Sequence, residues 1–224
     1  MSKQDNNKNN TLERILNSAE RLFAEHGFHG TSTRQIAAEA GISIQTCYYH
    51  CESKLNLYNM VLKRSVVPVT HMIDNHIQVM VAQDITDDRV LRQYTDLIIE
   101  ELFDVVSEHP NYAPLFLRQW LEKDPELRRV EQEELMPSIS KWVRLVEATV
   151  NEKRRSGIDL PLVLLSLSWI YWGLNVSPQF IGALLGIDSE SQEYKQRLKE
   201  HAKNITERIL GTRLSKTQRK RGKS

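Results

Sequence analysis

Apolar residues recur at helical spacing along almost the whole of this 224-residue chain. Residues 12–23 are a clear example, because their apolar side chains fall at i, i+3, i+4 and i+7 and line one helix face. Only 9 glycines and 7 prolines occur, and no segment alternates apolar and polar residues as a half-buried strand does. With 40% hydrophobic and 26% charged residues, the composition is that of a folded globular protein. These features predict an all-α fold.

Two short helices joined by a tight turn are predicted within the stretch TSTRQIAAEAGISIQTCYYHCESK. Ser32 and Gln35 have the spacing of a capping box, which begins a helix. Gly41 ends that helix, and Ser43 caps a second helix over residues 44–50. A helix, a turn with glycine and a second helix predict a helix-turn-helix motif.

The second helix of this motif is too short to bury all the large polar-tipped side chains that it carries. Ile42 and Cys47 fall on its inner face, so the tyrosines and their neighbours point largely outward. Hydroxyl and amide groups placed this way can bond to phosphates and base edges of DNA. The start of the preceding helix and a lysine after the motif add phosphate contacts. The predicted DNA-contacting residues are Thr33, Arg34, Gln45, Thr46, Tyr48, Tyr49, His50 and Lys54.

Residues 12–57 resemble the N-terminal domain of the tetracycline-repressor (TetR/AcrR) family of transcription regulators. The matching residues are ILNSAERLFAEHGFHGTS, TSTRQIAAEAGIS, residues 46–50, and then Ser53, Lys54 and Leu57. The resemblance implies a three-helix helix-turn-helix domain that binds DNA. It also implies a larger C-terminal helical domain that binds a small molecule and dimerises through its last two helices. The eight predicted contact residues match the family's DNA-contacting positions.

Three residues of the motif depart from the family's pattern. Gln45 stands where glycine or another small residue is common, so the base preference is expected to be unusual. Cys47 and Cys51 stand where leucine and phenylalanine are usual. The cysteines are either small buried hydrophobic residues or a redox or metal switch inside the DNA-reading unit. Two thiols are too few for a closed zinc site, and we expect no metal site and no cofactor.

Charge is unevenly distributed along a chain whose formal net charge is only +1. Residues 1–64 hold eight Lys or Arg against six Asp or Glu, and residues 211–224 hold six Lys or Arg and no acid. The intervening body is therefore acidic, and the basic tail is either a solvated end or a source of added phosphate contacts. The expected divisions are a disordered N-terminus over 1–10, a helix-turn-helix domain over 11–57, a ligand-binding and dimerisation domain over 58–210, and the tail over 211–224.

The larger domain offers aromatic, methionine and histidine side chains that would suit an apolar or planar ligand, with core packing as their alternative role. The candidate pocket residues are Met72, His76, Phe103, Phe116, Trp120, Trp142, Trp169 and Trp172. Pairing the last helices with those of a second copy would form a four-helix bundle. The candidate dimer-interface residues are Leu174, Leu198, Ala202, Ile205 and Ile209.

Residues 160–187 contain no charged residue and are long enough to cross a bilayer. Gly173, Asn175 and Pro178 interrupt the middle of this segment, and such polar and helix-breaking residues are costly in lipid. We therefore expect a buried helix pair or an oligomer interface and no membrane span. The polar N-terminus MSKQDNNKNN lacks the apolar core of a signal peptide, so we expect a cytoplasmic protein.

Together these features predict a homodimeric, ligand-responsive regulator that binds double-stranded operator DNA. We expect a repressor that leaves a palindromic operator when a small apolar or planar effector binds. Pro68 should kink the long helix that joins the two domains, which makes this helix a candidate transmission element. The alternative is a DNA-binding structural or cell-division factor without a small-molecule effector. The sequence has no nucleophile elbow, glycine-rich phosphate loop or HExxH motif, so we expect no catalytic residues and no enzyme.

Overall fold

The computed structural model describes residues 3–82, 88–149 and 159–209. Every regular element within these residues is a helix, which confirms the all-α prediction. The helices are α1 Lys3–Gly30, α2 Thr33–Glu39, α3 Ile44–Cys51, α4 Lys54–Ala82, α5 Asp88–Glu108, α6 Tyr112–Leu121, α7 Met136–Thr149, α8 Leu160–Val176, α9 Pro178–Leu185 and α10 Gln192–Ile209. A 3-10 turn over Pro125–Arg128 and a π turn over Glu131–Leu135 precede α7. The basic tail over 211–224 lies outside the described residues.

Helix α1 begins earlier than the sequence pattern indicates, at Lys3. From Lys3 onward, the stretch over 1–10 that the sequence predicts to be disordered is part of this helix. This stretch contains no glycine or proline, so the helix that forms on the apolar face of residues 12–23 extends back toward the N-terminus. Gly27 interrupts the helix with a φ of 74°, in the left-handed region that glycine adopts at little cost.

The predicted helix-turn-helix is present and is built by the predicted caps. The Ser32 hydroxyl accepts a hydrogen bond from the backbone N–H of Gln35, and the Gln35 side chain accepts from the backbone N–H of Ser32. Gly41 has a φ of 64° and lets the chain turn between α2 and α3. The Ser43 hydroxyl accepts from the backbone N–H of Thr46 at 3.0 Å and so caps α3.

The first of two compact units contains α1 to α3, the part of α4 up to His71, and residues His109–Ser138. Helix α6 packs along α1 in this unit. The Arg118 guanidinium of α6 donates to the backbone carbonyls of Ala24 and Glu25 at 2.7 and 2.6 Å. This unit is therefore larger than the DNA-binding domain expected from the sequence, because α6 returns to cover α1.

A buried carboxylate connects α1, α4 and the residue that precedes α6 in the first unit. Glu20 of α1 pairs with the Arg64 guanidinium of α4 and accepts a hydrogen bond from Asn111 Nδ2 at 3.1 Å. Arg64 also donates to Asn17 Oδ1 at 2.8 Å, and its backbone carbonyl accepts from the Tyr112 hydroxyl at 3.3 Å. These partners satisfy a charge that would be costly to bury alone.

The second compact unit contains the rest of α4, helix α5, most of α7 and helices α8 to α10. Ion pairs join α5 to α10: Lys199 lies 2.9 Å from Glu100, and Arg92 lies 2.5 Å from Glu207. Among the described residues of this unit, two apolar clusters contribute to the core. The first is centred on Met80, Tyr94 and Val146, and the second on Phe103, Tyr171, Tyr194 and Leu198.

The uncharged segment forms two helices of the second unit. The Asp159 carboxylate caps α8 by accepting from the backbone N–H of Leu162 at 3.1 Å. A break at Ser177 then separates α8, which is 17 residues long, from α9. Within the three described ranges, no helix has both the length and the apolar character that crossing a membrane requires.

Candidate nucleic-acid interface

Helix α3 has one buried face and one exposed face, and the exposed face carries the polar-tipped residues. Cys47 and Cys51 are fully buried. Gln45, Tyr48 and Tyr49 are exposed, and 68% of Tyr49 is accessible to solvent. A helix built this way packs through one face and leaves the other free to enter a groove of DNA.

Of the other predicted contact residues of the motif, Thr46 and His50 contact neighbouring side chains, while Arg34 is exposed. The Thr46 hydroxyl lies 2.8 Å from the Ser43 hydroxyl at the start of α3. The His50 ring lies edge-on to the Tyr49 ring at 5.3 Å between centroids. Arg34, in the first turn of α2, is exposed and its guanidinium has no hydrogen bond to any described residue. Arg34 is therefore free to meet a phosphate.

Tyr48 is held in place by a residue of the preceding helix. Its hydroxyl lies 2.9 Å from the hydroxyl of Thr33, at the start of α2. Thr33 is itself buried, while 45% of Tyr48 is exposed. Both residues were predicted to contact DNA. The geometry gives Thr33 a second role, because its hydrogen bond orients the tyrosine that reaches solvent.

Lys54 is bound to backbone carbonyls at the end of α1. Its ammonium group donates to the carbonyls of Phe28 and Thr31, both at 3.0 Å. The same group lies 4.2 Å from the centroid of the Phe28 ring, within cation–π range. A lysine has three N–H donors, so one remains for the predicted phosphate contact.

Arg14 supports the turn before α3, a role that the sequence reasoning did not identify. Its guanidinium donates to the carbonyl of Ala40 and, at 3.2 Å, to the carbonyl of Gly41. Carbonyls at the end of a helix lack partners within the helix, so this arginine satisfies the end of α2. Helical spacing places Arg14 on the polar side of α1 but does not distinguish it from a solvated arginine.

The two cysteines of α3 pack as buried thiols. Their Sγ atoms are 3.7 Å apart, and the Cys51 thiol donates to the backbone carbonyl of Cys47 at 2.9 Å. Burial raises the pKa of the Cys47 thiol, and it raises the pKa of the Cys51 thiol to about 12. Both thiols therefore stay protonated at neutral pH, which favours the packing interpretation over reactive sulfur.

The candidate pocket residues are divided among several places. Phe116 and Trp120 lie on α6 in the first unit, where Trp120 Nε1 donates to Glu131 at 3.1 Å. In the second unit, some candidate residues pack in the first apolar cluster and others pack in the second. His76 and Trp142 contact Tyr94 of the first cluster, Phe103 and Trp172 belong to the second, Met72 is half-buried, and Trp169 is exposed.

His76 is the candidate pocket residue with an unsatisfied polar atom. Its Nε2 lies 3.0 Å from the Glu101 carboxylate, while its buried Nδ1 has no hydrogen-bond partner among the described residues. The Tyr94 hydroxyl donates to the backbone carbonyl of His76 at 3.2 Å and accepts from Trp142 Nε1 at 3.4 Å. Burial raises the pKa of Tyr94 to about 12, so this hydroxyl stays protonated. Helices α4, α5 and α7 thus bring a small polar group together inside the second unit.

The candidate dimer residues largely face the core of their own chain. Leu198 is buried in the second apolar cluster, and Leu174 and Ala202 pack against that cluster. Ile205 and Ile209 are half-buried. Large apolar side chains are instead exposed on α8 and α9, spaced by about one or two turns within each helix. They are Leu162, Leu165, Trp169, Val176, Phe180 and Leu184.

Comparison with known proteins relates the first unit to DNA-binding regulators. Residues 15–61 match the model of the bacterial regulatory proteins, tetR family. The chain is 28% identical to the HTH-type transcriptional regulator RutR of Escherichia coli over 157 residues, 69% of this chain and 68% of RutR. It is 22% identical to the HTH-type transcriptional repressor AcnR of Corynebacterium glutamicum over 132 residues, 59% of this chain and 68% of AcnR. The crystal structure of HlyIIR, a hemolysin II transcriptional regulator, has the same fold, with a TM-score of 0.58, 20% identity, and coverage of 87% of this chain and 97% of that chain.

Proposed function

This chain is a transcriptional regulator of the TetR family, and we propose that it is a homodimeric, effector-released repressor acting in the cytoplasm. The exposed polar face of α3 carries the proposal. Its hydroxyl and amide groups suit phosphates and base edges, while buried cysteines fix the opposite face. Tyr48 and Tyr49 are 45% and 68% exposed, and DNA would cover this surface.

A dimer is required for α3 to read an operator. A helix of eight residues spans only a few base pairs, so one copy reads one half-site. Two copies related by a two-fold axis would place two such helices in successive major grooves, about 34–36 Å apart. The operator would then be palindromic, because its symmetry follows that of the protein.

The exposed apolar face of α8 and α9 supports the dimer. Neither helix contains a charged residue, and Phe180 and Leu184 are 66% and 73% exposed. Large exposed apolar surfaces on otherwise polar proteins mark sites of association. A second copy of the same face is self-complementary, so we assign this face to the dimer instead of the residues first predicted.

The polar group around His76 supports a small-molecule effector. The unpaired Nδ1 is costly inside a protein unless a ligand or water satisfies it. Tyr94 and Trp142 supply aromatic surface beside it, so the group suits a planar, largely apolar molecule that carries one hydrogen-bonding atom. Helix α4 contributes to both compact units and contains Pro68, which makes it the proposed route from effector to DNA.

Release by an effector follows from linkage. An effector that binds more tightly to a form unable to span two half-sites lowers operator affinity, and the operator lowers effector affinity by the same factor. The proposal of a repressor instead of an activator is supported by the similarity to AcnR, an HTH-type transcriptional repressor. The proteins that resemble this chain are regulators and the family is one of DNA-binding proteins, so the chain is not an enzyme.

DNA binding is tested with the purified protein and the DNA upstream of its own gene, titrated against scrambled DNA at several salt concentrations. Arg34→Ala should weaken binding and reduce the salt slope by about one, because one phosphate contact is lost. Arg197→Ala removes the same charge from an exposed position on α10 and should leave both unchanged. Equal losses in the two variants would point to nonspecific electrostatics and contradict the interface formed by α2 and α3.

The effector is tested by measuring melting temperature with phenol, indole and 2-naphthol as probes. Binding should raise the melting temperature of the wild type and of His71→Leu, an exposed histidine on the same helix. His76→Leu should abolish the shift. A shift in melting temperature that persists in His76→Leu would contradict an effector site at His76. DNA binding without any ligand response would instead favour the structural or cell-division factor.

A further inference from the structure

Gln45 is the polar side chain in the first turn of α3 that makes no hydrogen bond within the part of the chain that the structure describes. It is the second residue of the helix and is exposed. Its amide has no hydrogen bond to any described residue. By contrast, the hydroxyls of Ser43 and Thr46 bond to each other, and the Tyr48 hydroxyl is held by Thr33.

The place of Gln45 on α3 decides what it can reach. Recognition helices contact base edges mainly through residues near their N-terminal end. Tyr48 is oriented by its bond to Thr33, which suits a positioning contact with the DNA backbone. The free amide of Gln45, near the N-terminal end of α3, is therefore placed to contact base edges in the major groove.

The chemistry of the amide selects one base. A glutamine side chain presents one acceptor and one N–H donor side by side. In the major groove, adenine alone offers the matching pair, its N7 acceptor beside its N6 donor. Guanine offers two acceptors there, cytosine one donor, and thymine one acceptor beside a methyl group. Resting on the proposed function, we propose that Gln45 reads an A·T base pair in each operator half-site.

The proposal predicts a change of preference as well as a loss. Gln45→Glu keeps the size of the side chain but removes its donor, and a carboxylate accepts from cytosine N4. The preferred pair at that position should therefore change from A·T to C·G. Gln45→Ala should bind all four base pairs at that operator position with similar affinity. Gln192→Glu adds the same charge at an exposed position at the start of α10 and serves as the matched control.

The experiment is selection from a random double-stranded DNA library by the full-length wild type and the three variants. Affinities are then measured on the selected half-sites with the adenine replaced by 7-deazaadenine or by the other pairs. Wild type and Gln192→Glu should lose about tenfold to a hundredfold at one symmetric position. Gln45→Ala should lose nothing there, and Gln45→Glu should select cytosine.

Three results would overturn the proposal in distinguishable ways. If Gln45→Ala selects the same bases with the same discrimination, Gln45 reads no base, and the regulator stands. If the variant weakens all sequences equally, Gln45 contacts phosphate. If the wild type enriches no sequence, the proposed function fails together with the inference. Circular dichroism of each variant confirms that the exposed substitution leaves the fold intact.

Discussion

Lys54 shows how far charge and position alone can identify a residue's role. A cation just after the reading helix predicts a phosphate contact. The structure adds two backbone carbonyls, of Phe28 and Thr31, which lie 26 and 23 residues away in sequence. Helical spacing identifies the neighbours of a residue along its own helix. It does not identify partners from another helix, so this structural role could not be predicted.

Removing the Lys54 ammonium should destabilise the protein. We expect Lys54→Met to lower the free energy of unfolding by about 1–3 kcal/mol, because two carbonyls lose a charged donor while a similar stem remains. Urea denaturation of this variant is compared with Lys141→Met, an exposed lysine of α7 that should behave as wild type. Equal stabilities would mean that Lys54 acts only on DNA.

The buried thiols should make stability depend on pH in the alkaline range. Burial raises the pKa of Cys51 to about 12, while a thiol in an unfolded chain titrates near 8.5. Above about pH 8.5 the unfolded chain therefore loses protons first, and the free energy of unfolding falls as pH rises. Urea titrations at about pH 8 and 9 measure this fall, about one unit below the ordinary pKa of tyrosine.

Cys51→Ala is the control for this pH dependence. It should be less stable than wild type at both pH values, because a buried side chain is truncated. The difference in stability between the two pH values should nevertheless be smaller than in wild type. A difference of the same size would assign the pH dependence to other groups.

At the scale of single elements, the parts set by local rules were predictable and the parts set by packing were not. Ser32, Gln35, Gly41 and Ser43 build the α2–α3 turn, and each acts within four residues of its partner. Arg118 helps to hold α6 in the first unit, because it bonds to carbonyls more than ninety residues away. No local pattern in α6 carries that information.

Helix α6 should stabilise the end of α1 through this arginine. Arg118→Met keeps an apolar stem but leaves the carbonyls of Ala24 and Glu25 without their donor. We expect amides near the end of α1 to exchange with solvent deuterium about tenfold faster, corresponding to a loss of about 1.4 kcal/mol. Arg144→Met, at an exposed position on α7, is the control. Unchanged protection in α1 would contradict the role of α6.

At the scale of the whole molecule, the apolar faces were predictable but their partners were not. Leu198 and Ala202 lie at helical spacing on α10, as expected, yet they cover Phe103 and Tyr171 of their own chain. Periodicity shows that a helix has an apolar face, but it does not say whether the same chain or a second copy covers it. The exposure of apolar side chains in the structure distinguishes the two cases, and it indicates that α8 and α9 form the proposed dimer interface.

Charge on this face should therefore separate the two copies. Phe180→Glu or Leu184→Glu would bury a carboxylate against an apolar surface in the dimer, while in the monomer the charge stays in water. Sedimentation equilibrium should give a dimer for wild type and a monomer for each variant. Leu121→Glu, at an 82% exposed apolar position of α6, should remain dimeric. Since a monomer binds one half-site and a dimer binds both, the variants should also lose most of their operator affinity. Dimeric variants with wild-type DNA binding would move the interface to another face.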